Sequence, residues 1–443
     1  MKSTIKYFGA LLSAALVVAG ISSCKNLDYP DRYQVAEGEP TIDFVRYADS
    51  DEMIEEAFMS DVVCLVGDNL RSIVELWFND QQAILNTSYI TDHTLLVSVP
   101  KTQAVEKTDM IYMYNSIGRK YSYPFKVLPP EPEVKAMDRE WAEPGETVNI
   151  TGDYFIDLIS VTFKNADPIL AENLTYTSSK ITLTVPEGAM SGPVQVATAS
   201  GTVNSVFHYK DQRGMLFDFD GLTGLGNHGW HNMTIASDEW SLSGNYLQLG
   251  NGSASLSGDG GDWDDSNFSF EYWPGNWEDP ETFTAKDGLR LTDVVDFSDW
   301  TNLALKFEIC IPDSNPWKGT PMQIVFAPVT AVSYGSTGVL DIYGNELGGC
   351  NNTYFHDEDL SIPRALYQPW KETGSFSTGG KWMTVSLPIA DEFVWFWDGS
   401  TATGKLGADS FTSLLMMVAA GDGSGAESTP IIKIDNIRVV AAE

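Results

Sequence analysis

Apolar and polar positions alternate along short runs broken by Gly, Pro, Asn and Asp. Ile181, Leu183 and Val185 alternate with Thr182 and Thr184, the period of a half-buried strand. Ile73 to Phe78 is apolar on both faces apart from Glu75, which predicts a more deeply buried strand. Further strands are predicted at Leu303–Ile309, Met322–Phe326, Trp382–Leu387, Leu414–Val418 and Ile431–Val440. No mature segment keeps a helical period over about ten residues, so the pattern predicts an all-β chain.

The pattern also repeats. Val62 to Pro100 reads VVCLVGDNLRSIVELWFND and then TLLVSVP; Val148 to Pro186 reads VNITGDYFIDLISVTFKNA and then ITLTVP. Gly67-Asp68 and Gly152-Asp153 stand at the same distance from Phe78 and Phe163, so the unit recurs after about 85 residues. Each unit is expected to be a small β-sandwich, with Gly67 and Gly152 at sharp turns that favour positive φ. Leu128-Pro129-Pro130-Glu131-Pro132 between them reads as a stiff, extended joint.

From Gly214 the texture changes. Eleven of the thirteen tryptophans lie between Trp230 and Trp397, glycine is dense, and strand-like runs are short. A single β domain of about 230 residues fits a jelly-roll-like sandwich. Phe217-Asp218-Phe219-Asp220 is expected beside the final strand, Ile434 to Val439.

Charge narrows the partners. The chain has 443 residues with Lys+Arg 27 against Asp+Glu 61, a net charge of −34. Such a surface repels phosphate backbones and has no polybasic grip on anionic lipid, which argues against nucleic acid and leaves a neutral partner. The N-terminus adds an export signal: Lys2 and Lys6 precede the apolar run Phe8–Ile21, too short to span a bilayer. Of the four cysteines, Cys64, Cys310 and Cys350 would remain after Cys24 is modified, an odd number that excludes a full disulfide framework. A Cys310–Cys350 bridge and buried free thiols both stay open.

Three resemblances follow from these residues. Ile21-Ser22-Ser23-Cys24 resembles the lipobox of bacterial lipoproteins, implying cleavage before Cys24, its acylation, and anchoring in the outer membrane with the body facing the cell exterior. The repeated units resemble IPT/TIG immunoglobulin-like domains, usually spacers in surface proteins. Asn315-Pro316-Trp317, Pro363 to Trp370 and Thr378 to Pro388 resemble the surface glycan-binding proteins of Bacteroides-type polysaccharide utilisation loci. That last likeness implies capture of a neutral polysaccharide, β-glucan or xyloglucan, and its delivery to surface hydrolases and a TonB-dependent transporter. The expected organisation is a signal peptide at 1–23, a lipidated stalk at 24–39, Ig-like spacers at 40–128 and 133–210 joined by 129–132, and a glycan-binding sandwich at 211–443. Residues 212–443 alone are expected to bind as well as the whole chain.

A pyranose has an apolar face of C–H groups, which a rigid aromatic ring covers at little entropic cost. Loop aromatics are therefore the expected platforms: Trp317, Tyr354, Tyr367 and Trp370 first, with Trp263, Trp273, Trp277 and Trp395 as a second surface. Trp395 and Trp397 would share one face, while Trp240, Trp300 and Trp382 read as core. Alanine at Trp317 or Trp370 is expected to weaken binding without unfolding the domain. For catalysis, no G-x-S-x-G, H-E-x-x-H, Walker-type or C-x-x-C pattern occurs. His228 and His231 flank Gly229-Trp230 without a third ligand nearby. No cofactor is expected; the acidic run Asp259 to Asp265 would suit calcium at most, and fits no EF-hand loop. A surface glycoside hydrolase or lyase, which needs only two placed carboxylates, is the alternative; an adhesion protein with a protein partner is the second.

Overall fold

The computed structural model describes residues 33–223, 225, 234–257, 265–274, 289–328, 339–340, 346–347, 362–419, 423 and 425–443. The chain forms two compact units divided between Pro130 and Glu131. Its sheets are antiparallel throughout the described residues except for one short parallel pair, so the fold is all-β as the alternation predicts.

The first unit holds two four-stranded sheets. One runs Met53–Ile54, Thr41–Tyr47, Val62–Asp68, Thr94–Ser98; the other Gln81–Ala83, Ile73–Phe78, Met110–Asn115, Lys120–Pro124. Inward residues of both, among them Val45, Leu65, Leu76, Phe78, Leu95 and Met113, make one core. Ile73–Phe78 is not buried on both faces. A register shift between Ile73 and Glu75 turns Val74 and Glu75 outward, while Ile73, Leu76 and Phe78 stay inside.

The second unit opens with a sandwich of the same build, Glu133–Met137, Thr147–Asp153, Lys180–Thr184 and Thr175–Tyr176 facing Ile169–Leu170, Leu158–Thr162, Gly192–Thr198 and Gly201–Tyr209. Gly67 and Gly152 occupy matching places but not for positive φ. A Cβ on either would sit 1.9 Å from a neighbouring carbonyl, that of Thr41 or of Glu133, beside a register shift in the paired strand. The left-handed residue comes two positions later, Asn69 (φ 58°) and Tyr154 (φ 59°).

The larger sandwich follows. Its six-stranded sheet orders Thr234–Ala236, Tyr246–Leu249, Ile432–Ala441, Leu303–Cys310 and Met383–Pro388, with Met215–Phe217 also paired to Ile432–Ala441; of the run expected there, Phe217–Asp220, only Phe217 belongs to the pairing strand. Its four-stranded sheet orders Ser269–Tyr272, Ser413–Val418, Met322–Ala327 and Ala365–Tyr367. Leu247, Leu305, Phe307, Ile309, Ile324 and Met416 are among the residues filling the space between. Cys64 and Cys310 are buried free thiols.

The outer face of the six-stranded sheet is partly covered by the preceding sandwich. Glu140 binds the Lys306 ammonium at 2.7 Å and the Arg438 guanidinium at 2.8 Å; Arg438 also reaches Glu308 at 2.8 Å. All four are buried. Lys306 also pairs with Glu443, Thr384 Oγ1 donates to Glu308, and the backbone N–H of Thr384 donates to Asp138. Burial would lower the Arg438 pKa, but the Glu308 and Glu140 carboxylates outweigh it and raise it.

Candidate functional site

A cleft of about 440 Å³ opens where the edge strands of the two sheets, Ala365–Tyr367 and Met383–Pro388, come together. Tyr367, Gln368, Lys371, Glu372, Glu392 and Trp395 are among its lining residues. Trp395 is 37% exposed, a large aromatic surface beside carboxylates, an amide and an ammonium.

Local structure explains how Trp395 is held. Pro388 ends its strand and the short helix Ile389–Glu392 turns the chain. Residues 394–402 then fold back as a hairpin, with Phe396 N–H donating to Ser400 O at 2.7 Å and Ala402 N–H to Val394 O at 2.9 Å. At its tip the Asp398 carboxylate accepts from Ser400 N–H and Oγ at 2.9 and 2.6 Å, which holds its pKa below the usual range, and Gly399 takes φ 88°. Trp395 and Arg364 exchange backbone hydrogen bonds at 3.0 and 3.1 Å. Arg364 is buried, donates to Gln323 Oε1 at 2.8 Å and to the Ile362 carbonyl, and lies 5.5 Å from the Phe396 ring centre. Burial pushes its pKa down to about 9, only partly opposed by Asp398. A buried cation thus fixes the segment that presents Trp395.

Tyr367 also lines the cleft. It is half-buried, with its ring 6.0 Å from both Phe307 and Trp317, and burial raises its phenol pKa. The structure brings Tyr367 and Trp395 to one cleft, joining a first-choice platform to a second-choice one.

Other expected platforms fall elsewhere. Trp317 is 0% exposed: its indole N–H donates to Gly319 O and Thr320 O at 2.8 and 3.0 Å, and its backbone pairs with Phe376. Trp370 is also buried, packed near Gly425. Both rings anchor loops to the core and present no face to a sugar. Turn residues around them mark a loop correctly, but a loop aromatic can face inward to pin it. Trp273 is buried too, following Ser269–Tyr272, whose side chains are all inside. Tyr354, Trp263 and Trp277, the pair His228 and His231, the run 259–264, Cys350 and the acylation site Cys24 lie outside the described residues. Trp240 is 37% exposed rather than core; Trp300 packs half-buried and Trp382 is buried. Sequence reading missed Lys371, Glu372 and Glu392 as cleft residues, because nothing in the pattern says which charged side chains line one wall.

The surface glycan-binding protein B xyloglucan binding domain matches residues 209–441. The solved surface glycan-binding protein B of Prevotella bryantii is 43% identical, covers 92% of this chain and 100% of its own, and superposes with a TM-score of 0.73. That of a complex xyloglucan utilization locus in Bacteroides uniformis is 14% identical, with a TM-score of 0.39 over 91% of this chain and 100% of its own. An IPT/TIG domain-containing protein of Bacteroides ovatus is 23% identical over 181 residues, 38% of this chain; the match spans about a third (35%) of that relative's length. The chain belongs to the surface glycan-binding protein B family, with the family's xyloglucan binding domain as its larger sandwich.

Proposed function

We propose that this chain captures a neutral polysaccharide, xyloglucan or another β-glucan, without cleaving it, in the cleft between Tyr367 and Trp395. One observation carries this reading: an exposed indole, fixed by a hairpin and a buried arginine, beside polar side chains in a xyloglucan binding domain. The apolar face of one sugar ring would cover Trp395, and Gln368, Lys371, Glu372 and Glu392 would meet hydroxyls at its rim. The family and its solved relative are glycan-binding proteins, which supports binding rather than hydrolysis. The lipobox-like run Ile21–Cys24 supports an acylated anchor in the outer membrane, facing outward, from which the glycan would pass to a transporter and surface hydrolases. Tyr354, Trp263 and Trp277 remain candidates for the same ligand.

The test is affinity electrophoresis of the soluble protein against plant and fungal polysaccharides, with reducing ends assayed in parallel. Retardation by a β-glucan without new reducing ends is the expected result. Release of reducing ends would instead establish the glycosidase reading.

A further inference from the structure

Trp240 is a second exposed tryptophan, and it is not among the residues that line the Trp395 cleft. Along Tyr246–Leu249 and Ile432–Ala441, Leu247, Leu249, Ile432 and Ile434 enter the core. Tyr246, Gln248 and Lys433 alternate with them and so line the outer face of the six-stranded sheet. The turn at Trp240 lies over that face. Its N–H donates to the Asp238 carboxylate at 2.8 Å, and its carbonyl accepts from the Trp382 indole at 2.8 Å.

The ring is held as well as the backbone. The Lys433 ammonium, itself buried, sits 5.3 Å from the centre of the Trp240 ring and donates to Tyr246 Oη at 2.7 Å. Gly380 (φ 70°) borders the ring edge, where a Cβ would come within 2.8 Å. A cation and a bare backbone position thus lock an indole that is still 37% exposed. Glu239 and Lys381 are exposed nearby in sequence to Trp240 and Gly380 and could supply hydrogen bonds at its rim.

We infer that Trp240 is a second carbohydrate-contact site, stacking on the apolar face of a neutral sugar residue in the same polysaccharide that the Trp395 cleft holds. The inference rests on the reading of the chain as a glycan-capture protein. A protein partner fits less well, because one indole is far below the roughly 800 Å² per side of a stable protein interface. An acidic glycan is disfavoured by the net charge of −34. One stacking residue binds weakly alone, but joined to the cleft by a continuous polymer it gains from effective concentration.

The experiment uses the full chain as parent, Trp240→Ala, Trp240→Phe, Trp395→Ala and the double alanine variant, with xyloglucan and mixed-linkage β-glucan as polymers and their oligosaccharides as short probes. Trp240→Ala should lower polymer retention by about three- to tenfold while leaving short-oligosaccharide affinity within about twofold of the parent, the pattern of lost avidity. Trp240→Phe should retain most of the binding, and the double variant should fall below Trp395→Ala. As a direct reading independent of the alanine variant's stability, the ¹⁹F signal of 5-fluorotryptophan at position 240, assigned through Trp240→Phe, should shift on adding oligosaccharide to labelled Trp395→Ala. Parent-like polymer retention by a folded Trp240→Ala, or an unmoved ¹⁹F signal at saturating sugar, overturns the second site and leaves the cleft standing. A parent that neither polymer retains overturns the capture reading and this inference together.

Discussion

Trp395 and Trp317 carry the same side chain into opposite surroundings, so their substitutions should part company. Trp395→Ala removes an exposed ring and few core contacts. It should weaken β-glucan binding about tenfold or more, roughly 1.4 kcal/mol, with an unchanged melting temperature. Trp317→Ala would empty a space deep in the core and leave two backbone carbonyls without their indole donor; such losses cost about 3–5 kcal/mol, so the domain should melt many degrees lower. Thermal melts beside affinity electrophoresis separate the two, and an unshifted melt for Trp317→Ala would put the ring back on the surface. Asp435 gives a prediction in pH. It is buried at the centre of the six-stranded sheet; burial first, then Glu308, Asp220 and Asp218 nearby, push its pKa up to about 8, against the Asn436 N–H that donates to it. Between about pH 4, where the unfolded carboxyl ionises, and pH 8, the folded chain holds a proton that the unfolded chain gives up. Asp435 therefore lowers stability progressively as pH rises through that window. Asp435→Asn should be increasingly stabilising relative to the parent from pH 5 to pH 8, read as the difference in melting temperature; a constant difference refutes the shift.

Elements set which of these residues meet. Tyr367 ends an edge strand and Trp395 starts a hairpin nearly thirty positions later, and the cleft exists because both flank the same side of the sandwich. Asp398 caps that hairpin through Ser400, so Asp398→Ala should loosen the turn and weaken glycan binding several-fold while moving the melting temperature little, since hydrogen bonds of this kind contribute about 1 kcal/mol. Binding equal to the parent's would show that Trp395 does not need the turn. Strand positions were readable because alternation records burial directly: Leu303–Cys310, Met322–Ala327 and Ser413–Val418 stand within a residue of their expected places. The direction of an aromatic on a loop was not readable, since no periodicity governs it; Trp317 and Trp370 turn inward while Trp240 turns outward. The role of Gly67 and Gly152 was half legible. Their recurrence signals a constraint, but only the register of the neighbouring strand shows that the constraint is a carbonyl 1.9 Å from any added Cβ.

Across the molecule, the buried ions around Glu140 change what a spacer domain means. Lys306, Arg438 and Glu308 belong to the outer face of the six-stranded sheet, and Glu140 of the preceding sandwich supplies the carboxylate that both cations share. Breaking a buried pair from one side costs about 3–5 kcal/mol, because the remaining charge keeps its burial and loses its partner. Without residues 131–209, Lys306 would retain Glu443 and Arg438 would retain Glu308, but that face would become exposed, and the Thr384–Asp138 backbone bond and the bond from the Arg139 side chain to the Trp382 carbonyl would be lost. The expectation that residues 212–443 suffice for binding therefore gives way to a different one. Residues 131–443 should melt in one transition, and residues 212–443 alone should melt well below it or fail to fold. Glu140→Gln in the full chain should lower that transition alone, because the unit before Pro130 has its own core. Calorimetry distinguishes the cases: a fragment 212–443 that melts where the full chain does would show that the second sandwich is only a mast, and that the ion cluster adds nothing to the fold it covers.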